Sequence, residues 1–249
     1  MPVEINLKGK IALVTGGTRG IGKSIVDRFL LAGANVLATG TNPTSIEKLN
    51  QANNNCSLKY LYLDLNNPDN IKSFIKNTLA SVSVDILINN AGINIIDDAT
   101  NTLNEDFQKI NMINVQGPFL LSQAFGKQMI EKQWGRIINI ASIWSVVTRK
   151  GRLSYSSSKM ALLGISKTIA IEWAKHNVLV NCISPGFTMT ELTASTNTKK
   201  ELKIIENKIP QNRMAIPKEI ANGVLFLSSE LNSYIVGQNI IIDGGYTSI

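Results

Sequence analysis

Tyr155 and Lys159 are four residues apart, a spacing that puts both on one face of a helix. A free tyrosine titrates at about pH 10 and is a poor base near neutrality. An ammonium group beside it favours the phenolate. So paired, Tyr155 can give a proton to a carbonyl oxygen or take one from an alcohol. Ser142, thirteen residues earlier, offers a hydroxyl that can hold the same oxygen. The chemistry these residues suggest is proton transfer at a carbon–oxygen bond.

A second group of residues could hold a cofactor. Thr15-Gly16-Gly17-Thr18-Arg19-Gly20-Ile21-Gly22 follows one apolar run and opens a helical pattern. Glycines there let the backbone approach a pyrophosphate, and the helix start supplies free N–H groups with partial positive charge. Gly16, Gly20 and Gly22 leave three residues in the first gap, so the spacing departs from G-x-G-x-x-G. The loop is read as a dinucleotide turn rather than a P-loop. Asn89-Asn90-Ala91-Gly92 and Pro185-Gly186 each follow a later apolar run, and Asn114 lies within a long helical pattern.

The elements that must position these residues are short apolar runs alternating with longer helical stretches. Strands are expected at 11–15, 35–39, 58–63, 86–89, 136–141, 178–183 and 239–242. Most read as continuous apolar runs, the mark of strands buried on both faces. Between the first two, Ile21, Ile25, Val26, Phe29 and Leu30 share one side of a helix that Gly33 can close. Strand and helix in alternation predict a single doubly wound α/β (Rossmann) domain over 1–249, with about seven parallel strands and helices on both faces.

Composition removes several classes. Of 249 residues, 44% are apolar and 17% charged, a globular balance. No apolar run is long enough to span a bilayer, and Met1–Lys8 opens no secretory signal, so a cytoplasmic protein off the membrane is expected. Two distant cysteines, Cys56 and Cys182, and one histidine, His176, exclude a disulfide framework and a Cys/His zinc site. No metal is expected. A Ser-His-Asp hydrolase would have to use His176, which sits at an apparent helix end. The net charge of +7 is scattered and forms no basic stripe, so nucleic acid is not an expected partner.

Taken in order, T-G-x-x-x-G-x-G, N-N-A-G, Asn114, Ser142 and the Tyr155/Lys159 pair resemble the short-chain dehydrogenase/reductase family across essentially the whole chain. The likeness implies an oxidoreductase that moves a hydride between a nicotinamide cofactor and a carbonyl or alcohol. It makes Asn114, Ser142, Tyr155 and Lys159 catalytic. Lys159 would bond the nicotinamide ribose, and Asn114 would hold a water linking Lys159 to solvent. Along the cofactor it puts Gly16, Thr18, Arg19, Gly20, Ile21, Gly22, Thr41, Asp64, Leu65, Asn90, Ala91, Gly92, Pro185, Gly186 and Thr188, besides Tyr155 and Lys159. Asp64 would meet the adenine, Asn90 and Gly92 the adenosine ribose, and Thr188 the carboxamide. The second strand ends in Ala38-Thr39-Gly40-Thr41-Asn42 with no carboxylate before Glu47, and Arg19 stands in the loop. NADP(H) is therefore expected over NAD(H). A non-catalytic cofactor-binding regulator is the contrasting reading, and the complete catalytic set argues against it.

Within the family the pattern is nearest to 3-oxoacyl-(acyl-carrier-protein) reductases, through Leu7–Gly16 and Asp243-Gly244-Gly245-Tyr246. That likeness would place carrier-docking arginines where Gln133 and Ile171 stand, with Lys132 and Lys167 as partial substitutes. Trp144, Arg149, Lys150 and Arg152, before Tyr155, instead suit a sugar or an anionic small substrate. A homotetramer is expected as well. Phe119, Phe125, Leu162, Ile165, Ile169 and Trp173 exceed what one sheet face would bury, and Val236–Ile242 with the end at Ile249 suit a second two-fold contact.

Overall fold

The computed structural model describes residues 4–248. Met1–Val3 and Ile249, the ends of the expected domain and assembly contact, lie outside the described residues. In chain order the elements are β1 (Ile11–Val14), α1 (Gly20–Leu31), β2 (Asn35–Gly40), α2 (Pro43–Ala52), β3 (Leu58–Tyr62), α3 (Pro68–Ser81), β4 (Ile86–Asn89) and α4 (Asn104–Asn111). There follow α5 (Gly117–Glu131), β5 (Gly135–Ile140), α6 (Leu153–Trp173), β6 (Val178–Pro185), α7 (Glu191–Thr196), α8 (Lys199–Glu206), α9 (Pro217–Ser228) and β7 (Asn239–Ile242).

All strand pairs are parallel, in the order β3-β2-β1-β4-β5-β6-β7. All seven expected strands are present. Successive residues point to opposite faces of a strand. Ala12 and Val14 therefore join Ile86 and Ile88 in a core beneath Ile25, Val26 and Phe29 of α1 and Ile220 and Val224 of α9. Leu13 and Leu87 join the opposite core, under Leu121, Phe125 and Met129 of α5 and Phe74 of α3. The order reverses between β1 and β4, which opens a crevice at their carboxyl ends.

Two expectations need correction. The Asn114 region is not one α-helix: a π-turn, Met112–Gln116, separates α4 from α5. Pro118 near the start of α5 lacks the N–H that a continuous helix would need. Of the six apolar residues expected at a subunit contact, Phe125, Leu162 and Ile169 are buried within this one chain. Phe119 stays exposed, and Trp173 covers Gly126, where an added Cβ would meet its ring at 2.4 Å.

Candidate active site

The crevice floor is the turn from β1 into α1. Gly16 holds φ +63°, which its lack of a Cβ permits. At Gly22 an added Cβ would lie 2.1 Å from the Gly16 carbonyl oxygen, so loop and helix touch there. Ile21 lies in the first turn of the same helix, where no acidic residue stands. Its N-terminus is left free to favour an anion. The letters Gly17–Ser24 also fit a P-loop, but Gly22, Lys23 and Ser24 lie inside α1. Lys23 pairs with Asp27 one turn on, so no phosphate cradle of that kind forms.

The end of β2 lies against this turn. Gly17 N donates to Thr39 O at 2.9 Å, and a Cβ at Gly40 would sit 2.9 Å from Thr18. Arg19, at the start of α1, and Thr41 are both exposed. Asn42 caps α2 by accepting from Ser45 N at 2.9 Å, so no carboxylate faces the turn from this strand end.

From β4, Asn90 donates to Thr15 O at 2.9 Å and Gly16 O at 3.1 Å. Its amide braces the glycine turn and leaves no hydrogen for a ribose. Ala91 abuts Gly16. Gly92 lies further along: an added Cβ would be 3.2 Å from Asn114 Oδ1 and 3.4 Å from Lys159 Nζ. Asp64 accepts from Asn66 N at 2.9 Å at the end of β3, while the Leu65 side chain is buried against Gly117. Leu65 can face a cofactor only through its backbone.

The four catalytic candidates come together from three segments. Ser142 leaves β5 and caps a short 3-10 turn, accepting from Trp144 N at 3.2 Å. Tyr155 and Lys159 lie in the first two turns of α6, and the Ser142 hydroxyl is close enough to the Tyr155 phenol to lower its pKa. Lys159 is buried, donates to Ile140 O at 2.7 Å, and has its Nζ 5.7 Å from the centre of the Tyr155 ring. Asn114 sits in the π-turn. Its Oδ1 accepts from Ile93 N at 2.9 Å, and its Nδ2 donates to Ile93 O and Ser158 Oγ at 2.9 and 3.1 Å. Both amide hydrogens are spent, so the side chain could hold a water only through the remaining lone pair of Oδ1.

Burial governs the titration of these groups. It raises the Tyr155 pKa above the usual phenol value, although Ser142 and the charge of Arg152 pull it down. Burial outweighs the groups that lower the pKa, so in the chain alone the phenol rather than the phenolate is the resting form. Desolvation lowers Lys159 to about 8 and raises the Cys182 thiol, beneath it on β6, to about 11. At neutral pH the protein holds a phenol beside an ammonium.

The segment after β6 closes the crevice. Gly186 lies against Asp243, where a Cβ would be 2.6 Å from its Cα. Buried Thr188 donates to Gly186 O at 3.1 Å, beyond Pro185 at the strand end. Thr190, which spacing did not single out, is the nearest residue to a Cβ built at Gly20, at 3.5 Å. Trp144 is buried against the edges of Phe187 and Tyr246, with ring centres 6.0 and 6.3 Å away. Neither partner carries a local sequence signal. Lys150 turns away to Asp98, 3.3 Å distant.

Other residues fall outside the crevice. His176 precedes β6 and meets Gln133 at 2.9 Å. Ser142 follows β5, so about 20 Å of strand separates the pair. Lys132 is held by Asp85 at 2.9 Å, while Ile171 is 80% exposed. Among the described residues no cluster of three or more His, Cys, Asp or Glu could hold a metal, and no helix is long and apolar enough to cross a membrane.

The family model described as enoyl-(acyl carrier protein) reductase matches residues 16–247. A 3-oxoacyl-(acyl-carrier-protein) reductase of Aquifex aeolicus is 38% identical over 250 residues, 98% of this chain and 99% of that protein. This chain belongs to the short-chain dehydrogenase/reductase family. A solved short-chain dehydrogenase/reductase from Mycobacterium marinum is 32% identical, with a TM-score of 0.88 and 98% of each chain covered. A gluconate 5-dehydrogenase from Burkholderia cenocepacia, solved with NADP and tartrate, is 28% identical, with a TM-score of 0.89. There the match covers 98% of this chain and 97% of the other.

Proposed function

We propose that residues 1–249 act as one catalytic domain, an NADP(H)-dependent oxidoreductase interconverting a ketone and a secondary alcohol. The observation that carries this is the Tyr155 phenol, set beside Ser142 and backed by the Lys159 ammonium. Ser142 holds the substrate oxygen, Tyr155 donates the proton, and Lys159 sustains the positive field that stabilises the phenolate left behind. Asn114 fixes the Ile93 segment against α6 through its amide bonds. The cofactor, when bound, supplies the hydride.

The cradle fits a dinucleotide: an acid-free helix start, a turn in touch with that helix, and no carboxylate at the end of β2. Exposed Arg19 beside that strand end favours the 2′-phosphate of NADP(H), and a relative is solved with NADP. The acyl-carrier relative makes 3-oxoacyl thioesters the first substrate class. A sugar or other polar carbonyl is the second, favoured by the cations beside Trp144 and by Gln133 and Ile171 at the expected docking positions. The proposal extends to a cytoplasmic homotetramer.

NADPH oxidation with acetoacetyl thioesters, keto-sugars and small diketones tests the reading. Turnover in at least one class, faster with NADPH than NADH, is expected; inertness toward all three overturns it. Arg19→Gln should lose most of the cofactor preference, roughly ten- to a hundredfold in affinity for a lost charge-assisted contact.

A further inference from the structure

The segment between Ser142 and α6 carries two guanidinium groups that the proton-transfer chemistry leaves unused. Arg152 is only 9% exposed, and its Nε is sealed from solvent without a hydrogen-bond partner. Among the described residues its guanidinium donates no hydrogen bond, and neither it nor Arg149 forms an ion pair. The buried Arg136 shows the contrasting arrangement. Its Nε is likewise sealed, but its two terminal nitrogens donate to the carbonyls of Gly135, Asn177 and Asn232 at 2.9, 3.1 and 3.2 Å, which those of Arg152 do not. Only the Nε is sealed; the two terminal nitrogens of Arg152 reach solvent without a protein partner and so are open to an incoming anion.

The surroundings of Arg152 are those of a receptor. Its Cζ lies 5.8 Å from the centre of the Trp144 ring, and that of exposed Arg149 lies 5.3 Å from it. Arg152 stands at the start of α6, three residues before Tyr155, where no acidic residue occupies the first turn. The helix N-terminus therefore adds partial positive charge. The charged and titratable groups that act on Arg152 are Arg149 and Tyr155, with no carboxylate among them. Asp97 meets Arg152 through a backbone bridge, and Lys150 is occupied by Asp98.

We infer that Arg152 and Arg149, against Trp144, receive a second, anionic group of the substrate, a carboxylate or a phosphate, while its carbonyl lies at Tyr155. This deepens the proposed function and rests on it. A planar guanidinium matches either oxyanion with two parallel bonds, and the aromatic face holds the fork in plane. The substrate class becomes small oxo-acids or oxo-phosphates and their hydroxy counterparts.

Calorimetric titration of the full-length protein, with and without NADPH, uses malonate, inorganic phosphate and the neutral malonamide as probes. Malonate or phosphate is expected to bind at about 1 mM or tighter, with malonamide at least tenfold weaker. Arg152→Gln should weaken the anion at least tenfold and Arg152→Lys less, since a lysine loses the fork. Arg149→Gln, altered at an exposed position, should weaken it too. Whichever anion binds better names the group. Equal affinity for malonamide, wild-type affinity in both glutamine variants, or no anion binding by about 10 mM overturns the inference. NADPH-dependent reduction of neutral 2,3-butanedione reports on the parent reading separately. If it persists while anion binding is absent, only this inference falls.

Discussion

Lys159 pays for its position in the site, because burial disfavours the ammonium that the chemistry needs. Its native pKa of about 8 lies below the unfolded value of about 10.4. Between those values the unfolded chain binds a proton that the native chain does not, so stability rises with pH. Cys182, raised to about 11, acts the other way once an unfolded thiol begins to ionise, near pH 9. Comparing the wild type with Lys159→Met, which keeps Cys182, isolates the lysine. The stability of the wild type relative to Lys159→Met should rise by about 1 kcal/mol from pH 8 to pH 9, read by urea denaturation. A flat difference would mean that Lys159 is solvated. The neighbouring tyrosine gives the kinetic counterpart. Tyr155→Phe keeps the ring and removes the transferable proton, so turnover should fall by roughly 10²–10⁴-fold while NADPH affinity holds. Near-full activity in that variant would remove Tyr155 from the acid–base role.

At the scale of elements, the sheet was legible because its central strands β1, β4, β5 and β6 are largely buried apolar runs and every strand ends where a polar or glycine-rich turn begins. Ile86–Asn89 and Asn239–Ile242 match the expected bounds, and the other strands differ by one or two residues at an end. The π-turn at Asn114 was not legible from periodicity, since one extra residue per turn hardly disturbs an apolar pattern; Pro118 was the available signal. Trp144, Phe187 and Tyr246 meet from three distant segments, so no spacing could join them. The lowered lysine pKa was likewise invisible, because it depends on burial rather than on neighbours in sequence. The β1–α1 junction shows how tightly one element fixes another. Gly22→Ala would place a methyl group 2.1 Å from the Gly16 carbonyl oxygen. Overpacking of this kind costs about 1–3 kcal/mol, and displacing the turn should weaken NADPH at least tenfold. Thermal denaturation and cofactor titration of that variant check both effects. An unchanged variant would mean the turn can yield.

The whole molecule leaves apolar surface where two helices and one sheet edge face outward. Ile171 is 80% exposed and Met160 47%, both on α6, and Phe119 on α5 is 38% exposed. These are fewer residues than the sequence suggested, because Phe125, Leu162 and Ile169 fill the subunit's own core. β7 closes the sheet with an unpaired edge, and Ile241 on it is 38% exposed. A bare apolar edge strand invites pairing with another chain. Closed two-fold assemblies are the commonest way to cover such surfaces, and two distinct patches on one subunit build a tetramer from two kinds of two-fold axis. Light scattering behind a sizing column should give about four times the 27.2 kDa chain mass at micromolar concentration. Ile171→Glu, a charge set into one patch, should lower that mass to a dimer or a single chain if the α5/α6 face is a contact. A wild-type mass near one chain defeats the assembly proposal, and a tetramer indifferent to Ile171→Glu removes that residue from the contact.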